Sequence, residues 1–173
     1  MTAKRAGEIM IPLDRFPHMP YWFTLRQAMA ELGGVGPEQS LRCPCGLVLI
    51  FSAQNQLLGL LRAQDILRGL RPTIAADDHR HAPEAFGVGV DANLFRFVDY
   101  EKAVGMLPRQ IERPVGDFMQ PVTVTVTHDD DLLQTVYLMI DQGLNYVPVL
   151  QENRIVGVVS ALDTLREIAK LVV

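Results

Sequence analysis

The stretch "GVVSALD" at residues 157–163 has a counterpart in "GLLRAQD" at 59–65, 98 positions earlier. Both read glycine, two aliphatics, a variable residue, two further residues and aspartate, the pattern of a strand that ends as a helix begins. Working outward from this pair, the two surroundings match as well, which makes the chain an internal duplication. Copy two opens with "VGDFMQPVTVTV" (115–126), an extended, β-branched run. "DDDLLQTVYLMIDQG" then reads as a helix. Asp131 caps it with Gln134 three residues on, Leu133, Val136, Tyr137 and Ile140 make an i, i+3, i+4, i+7 stripe, and Gly143 suits the position just past its end. "LNYVPVL" reads as a strand, "ENR" as a turn, "IVGVVS" as a second strand, and "ALDTLREIAKLVV" as a closing helix with Leu162, Leu165, Ala169 and Val172 on one face.

Copy one follows the same β-α-β-β-α order. "GEIMIP" (7–12) parallels "GDFMQP" (116–121), and a helix with a Thr24/Gln27 capping box runs over 24–34. The strand "LVLIF", the turn "SAQNQ", the strand "LLGLL" and the helix "AQDILRGL" complete it. The Met/Pro anchors align at an offset of 109 and the heptapeptides at 98, so copy one holds 11 additional residues. The reading divides the chain into copy one (1–70), a long connection (71–114) and copy two (115–173). The connection opens as an exposed loop and holds a helix around 99–107 that ends before Pro108.

With 173 residues, 49% hydrophobic and 21% charged, the chain has the composition of an ordinary globular protein. A net charge of −4 and the absence of any basic run argue against a nucleic-acid surface. The longest apolar run, 46–51, is too short to span a bilayer, and no signal peptide is recognisable, so a cytoplasmic location is expected. Cys43 and Cys45, in "CPCG", are expected to be free thiols.

"FMQP", "YVPVL" and "GVVSALD", which fits Gly-h-x-Ser/Thr-x-x-Asp, together resemble the cystathionine-β-synthase (CBS) domain family, present as a tandem pair over 7–70 and 115–172. Copy one departs from the pattern at Ile50, where the family has proline, and at Arg62, where it has serine or threonine. The resemblance implies an α/β (α+β) fold of two pseudo-symmetric β-α-β-β-α repeats packed through their sheets, with two clefts between them. It also implies binding of an adenine nucleotide (AMP, ADP or ATP) or S-adenosylmethionine, a homodimer, and a stand-alone regulatory module that senses its ligand for an unknown partner protein. By the same analogy Val122, Thr123, Asn145, Tyr146 and Pro148 would frame the base.

The residues themselves support a chemistry for this site. Gly157 lets a backbone or a flat ring approach its strand. Ser160, at the start of the helix, sets a hydroxyl beside free backbone N–H groups that suit an anion. Asp163 offers two acceptor oxygens for a ribose diol. Ser-x-x-Asp is equally a plain capping pair. Arg62 has two readings. It pairs with Asp65 and fills its own cleft, which its reach favours, or it clamps a phosphate. The first leaves one ligand per chain.

No catalytic constellation and no phosphate-binding glycine loop is present in the sequence, so no enzyme activity is expected. The Cys43/Cys45 and His79/His81 pairs have spacings too short for a structural zinc site, and His18 and His128 are isolated. Trp22, Phe23, Met29 and Leu32 read as core or interface. The alternative function is a ligand-free dimerisation or scaffold module.

Overall fold

The computed structural model describes residues 4–33, 46–70 and 100–172, so Cys43, Cys45, His79, His81 and most of the connection lie outside the described residues. In chain order the elements are α1 (Ala6–Ile9), β1 (Ile11–Pro12), β2 (His18–Pro20), α2 (Leu25–Gly33), β3 (Leu47–Phe51), β4 (Leu57–Arg62), α3 (Ala63–Leu70), α4 (Tyr100–Gln110), β5 (Gln120–Pro121), β6 (Val126–Thr127), α5 (Leu132–Asp141), β7 (Tyr146–Gln151), β8 (Arg154–Ser160) and α6 (Ala161–Val172). The opening strand of each copy is thus split in two, with Pro12 and Pro121 each ending the first piece.

That split has a topological consequence. The two four-stranded sheets run β1-β8-β7-β6 and β2-β3-β4-β5, so the first strand of each copy sits in the sheet of the other. Ile11 lies opposite Val158 and Pro12 opposite Gly157; Pro121 lies opposite Gly59 and Gln120 opposite Leu60. Both exchanged strands are sheet edges, where a residue without an N–H is tolerated. The glycines of the two heptapeptides make room for them. A Cβ on Gly157 would stand 2.7 Å from the Ile11 carbonyl oxygen and 2.7 Å from the Met10 sulfur. One on Gly59 would stand 2.7 Å from the Gln120 oxygen and 2.7 Å from the Met119 sulfur.

The local signals form as expected. The Asp131 carboxylate accepts from the Gln134 N–H at 2.8 Å, and the Gln134 side chain accepts in return from the Asp131 N–H. Thr24 and Gln27 repeat the arrangement at α2. Gly143 takes φ +62° just past α5, and Asn55 and Asn153 take φ 59° and 61° in the equivalent hairpin turns.

Three apolar clusters hold the molecule. Leu132, Met139, Val147, Val149 and Val159 pack with Ala6 and Ile9 between one sheet and its helices. Leu25, Ala28, Val48, Ile50, Leu61 and Ile66 do the same in the other half. Phe16, Leu47, Leu49, Leu60 and Val158 lie between the two sheets, with Tyr146 and Val122 against them, so the copies pack through their sheets.

Two expectations are corrected. Of the stripe Leu133, Val136, Tyr137 and Ile140, Val136 packs against the core while the other three point outward, as do Leu162 and Leu165, and α5 buries Leu132, Thr135 and Met139. Threonine is the reason. The Thr135 and Thr164 hydroxyls donate to the Asp131 and Ser160 carbonyls one turn back, at 3.1 and 2.8 Å, so they face the core without an unpaired polar group. Second, α4 continues through Pro108 to Gln110. Proline removes one hydrogen bond near the helix end, and the turn is closed by the Ile111 N–H donating to the Leu107 carbonyl at 3.0 Å. Among the described residues no helix is long and apolar enough to cross a membrane.

Candidate functional site

The two heptapeptides end at the two helix N-termini that face the inter-sheet region, and there the copies differ. In copy two Ser160 caps α6. Its hydroxyl accepts from the Asp163 N–H at 3.0 Å and donates to an Asp163 carboxylate oxygen at 2.5 Å. The other oxygen accepts from Arg166 at 2.9 Å. The Ala161 N–H, another free donor of the first turn, is taken by the Asn145 carbonyl at 2.8 Å, which pins the start of β7 beside the helix. Asp163 keeps 25% of its side chain accessible, and Arg166 is 63% exposed. A cleft of about 320 Å³ opens over these groups, lined by Ile11, Asn145, Tyr146, Ser160, Leu162 and Asp163.

In copy one the same position is plugged. Asp65 is fully buried. Its carboxylate accepts from the Arg62 backbone N–H (3.0 Å), Arg62 Nε (3.0 Å), Arg62 Nη2 (3.1 Å) and Arg68 Nη1 (3.4 Å). The Asp65 carboxylate holds the Arg62 guanidinium in its charged form, above even arginine's ordinary range. The space left beside Arg62 is about 40 Å³, lined by Leu60, Gln120, Val122, Thr123, Tyr146 and Pro148 among others. Of the two readings of Arg62, the structure shows the one in which it pairs with Asp65.

These contacts redistribute the residues singled out in the sequence. Asn145, Tyr146, Ser160 and Asp163 come together around the larger cleft. Val122, Thr123 and Pro148 instead lie on the Arg62 side, while Asn145 and Tyr146 line both spaces. The strand exchange is the cause, because β5 belongs to the sheet that carries Arg62. The opening segment beside Asp163 is therefore that of copy one, through Ile11, which was not singled out. Gly157 lines neither cleft; its face is occupied by Met10 and Ile11, a backbone approach rather than a ring. His128 packs on Gly7, away from the cleft. Arg166 was also not singled out. Its signal was present, since an arginine follows the aspartate by three positions in both copies (Arg68 and Arg166).

A family model described as "CBS domain" matches residues 115–170. Residues 115–170 are a CBS domain. The fold of the chain is that of CBS-domain proteins: one of unknown function from Kribbella flavida superposes with TM-score 0.66 at 19% identity, covering 96% of this chain and 99% of that one. CBSX2, a CBS-pair protein from Arabidopsis thaliana, in a crystal structure with AMP, superposes with TM-score 0.60 at 13% identity, covering 98% of each chain. An uncharacterized protein of Methanocaldococcus jannaschii is 28% identical over 87 residues, which span 49% of this chain and 41% of that protein's length.

The matched CBS domain contains the Ser160/Asp163 helix start, and the other half of the fold supplies Ile11 to its cleft. Among the described residues no group of three or more His, Cys, Asp or Glu side chains is placed to hold a metal ion.

Proposed function

We propose that this chain is a cytoplasmic regulatory CBS module that binds one adenosine-containing ligand, of the AMP, ADP, ATP or S-adenosylmethionine class, in the cleft of Ser160 and Asp163. The observation that carries the reading is the contrast between the two helix starts. One offers about 320 Å³ and a reachable carboxylate; at the other Arg62 occupies the buried Asp65 and leaves about 40 Å³. In this reading Asp163 exchanges its exposed contact with Arg166 for a ribose diol, an inexpensive step because solvent-exposed ion pairs contribute little. Tyr146 and Ile11 flank the base, and Arg166, released from Asp163, is free to meet a phosphate. The ligand acts on a partner protein only through a different affinity for two arrangements of the pair.

The test is a thermal-shift panel of AMP, ADP, ATP, NAD and S-adenosylmethionine, followed by calorimetry on any that responds. A ligand at a hundredfold over its dissociation constant adds about 2.7 kcal/mol, or roughly 5–10 °C for a chain of this size. The stoichiometry expected is one per chain, abolished by Asp163→Ala in a protein that stays folded. Two sites of similar affinity, or no response to any of the five, would sink the proposal. The second reading, a ligand-free dimerisation or scaffold module, is favoured by the apolar side chains that α5 and α6 turn outward. Under that reading Asp163→Ala has no ligand response to lose.

A further inference from the structure

A third space lies apart from both clefts, beside the β3–β4 turn of copy one. It holds about 420 Å³ and is walled by Leu13, Asp14, His18, Trp22, Leu49 and Phe51, with Ser52 and Asn55 of the turn also lining it. None of its lining residues belongs to either cleft. The volume falls within the range of about 300–1,000 Å³ usual for small-molecule sites. The sheet forms one wall. β2 runs parallel to β3 and sets His18 beside Leu49 and Pro20 beside Phe51, and the His18 ring meets Phe51 edge-on at 6.1 Å. Trp22 is half exposed and is positioned by its neighbour. The Tyr21 N–H donates to the Phe51 carbonyl at 3.1 Å, the Tyr21 carbonyl accepts from the Gly116 N–H at 2.9 Å, and the Tyr21 ring packs edge-on against the indole at 5.1 Å. On the turn, the Ser52 hydroxyl accepts from the Gln54 and Gln56 N–H groups at 3.2 and 3.1 Å, which fixes that side as well. The pocket is therefore pre-formed.

The duplication supplies an internal control for these aromatic groups. Ile50 lies opposite Gly59 and Val149 opposite Gly157, so Phe51 corresponds to Leu150. Met19 pairs with Ile50 as Val126 pairs with Val149, so His18 and Trp22 correspond to Thr125 and Asp129. Asp129 is engaged there by Arg5 at 2.8 Å. The same place thus carries three aromatic rings in copy one and a hydroxyl, a carboxylate and an aliphatic chain in copy two. The fold does not need the rings, which leaves a ligand as their reason.

The lining also has a sign. Asp14, exposed on the single turn Leu13–Arg15, is the one acidic or basic side chain besides His18 among the described residues that line the pocket. A carbonyl only accepts, so the His18 Nδ1 facing the Phe16 carbonyl at 3.4 Å carries the proton, and Nε2 of the neutral ring is an acceptor. Aromatic faces add a further attraction for positive charge. We infer that this pocket binds a small organic amine, its apolar body against Leu13, Leu49 and Phe51 and its ammonium group between Asp14 and the aromatic rings. With a carboxylate and no lysine or arginine in the lining, the pocket selects against phosphates and carboxylates. It is therefore separate in chemistry as well as in place from the Ser160/Asp163 cleft, and the inference stands whether or not a nucleotide binds there.

Trp22 is the only tryptophan of the chain, so its emission and its indole N–H resonance report on this pocket directly. The full chain is titrated with phenethylammonium and with two molecules of nearly the same shape, neutral 2-phenylethanol and anionic phenylacetate. Phenethylammonium is expected to shift both signals saturably, with a dissociation constant on the order of 1 mM or tighter for so small a molecule. The alcohol should bind more weakly and phenylacetate weakest. Asp14→Asn, at an exposed position and with its shape kept, should weaken the amine about three- to tenfold and leave the alcohol unchanged. Phe51→Leu, which installs the residue of copy two, should weaken the amine about two- to fivefold. Circular dichroism checks that each variant is folded. Asp163→Ala should leave amine binding as it was, so that failure at the nucleotide cleft is read separately. No saturable response to the amine overturns the inference. Phenylacetate binding as tightly as the amine, an Asp14→Asn variant that binds the amine like wild type, or amine binding lost in Asp163→Ala overturns it as well.

Discussion

Replacing Arg62 with alanine would remove two of the four donors that hold a fully buried carboxylate. The Asp65 oxygens would keep the backbone N–H of residue 62 at 3.0 Å and the Arg68 contact at 3.4 Å, the longest of the set. Breaking a buried ion pair from one side costs about 3–5 kcal/mol because the other charge is left uncompensated. Arg62 is itself 22% exposed and Arg68 stays nearby, which places this case at or just under the low end, about 2–3 kcal/mol. For a chain of this length that corresponds to a fall in Tm of roughly 4–12 °C. Urea titration of the wild type, Arg62→Ala, Asp65→Asn and the double variant would measure it directly. The double variant should be less destabilised than the sum of the two singles by at least about 1 kcal/mol, since both remove the same interaction. An Arg62→Ala variant within about 0.5 kcal/mol of wild type, the usual range for a surface change, would refute the reasoning that this guanidinium compensates Asp65. Arg62→Ser carries the idea to binding: it gives copy one the Ser-x-x-Asp of copy two, and calorimetry should then count two ligands per chain where the wild type takes one.

Four further outcomes are expected. Gly157→Ala sets a methyl group against the Ile11 carbonyl and Met10 at 2.7 Å and should cost about 1–3 kcal/mol in a urea titration. Gly105→Ala, with nothing within 4 Å and a helical backbone, should instead stabilise by about 0.4–1 kcal/mol. Asp131→Ala removes the α5 cap and should lower stability by about 1 kcal/mol, visible as a lower urea midpoint. Acid should loosen the N-terminal segment. Lys170 first, and then Lys4, holds the Glu167 carboxyl below its ordinary value of 4.5, and Arg5, with His128, does the same for Asp129. A folded pKa that is depressed contributes stability above the unfolded value and loses it as the pH falls through the folded one. The protection of the Ala6 and Gly7 amides, which donate to the Asp130 and His128 carbonyls, measured relative to the intrinsic exchange rate at each pH, should therefore fall as the pH drops from about 4.5 downward, and less so in Lys4→Ala.

Much of this molecule is legible in its sequence because its signals are local. The Asp131/Gln134 and Thr24/Gln27 boxes, the turn asparagines and Gly143 each depend on residues within a few positions, and each forms as its chemistry requires. The Ser160/Asp163 contact is of the same kind, three positions apart. What escapes a linear reading is set by long-range geometry. The exchanged strands are two residues long, too short for any periodicity to show, and their partners stand on the other copy. That one fact moves Val122 and Thr123 away from Asp163 and brings in Ile11. The helix faces escape for a different reason. Both flanks of α5 carry apolar groups, and the flank with threonine at its centre is the buried one, because the Thr135 hydroxyl returns to its own backbone. The competing readings of Arg62 are separated only by the burial of Asp65, a property of the packed sheets rather than of the heptapeptide.

The exchange of β1 and β5 also bears on how such a chain can be divided. A fragment holding one copy carries an edge strand that fits the other half and, beside its own heptapeptide glycine, an unfilled lane. Severing the backbone between residues 71 and 99 would therefore yield two pieces that are incomplete apart and complementary together, each providing the clasp that closes the other. For an ancestor with one copy the same geometry makes association of two identical chains the way to fill that lane, and duplication then turns a bimolecular fastening into an intramolecular one.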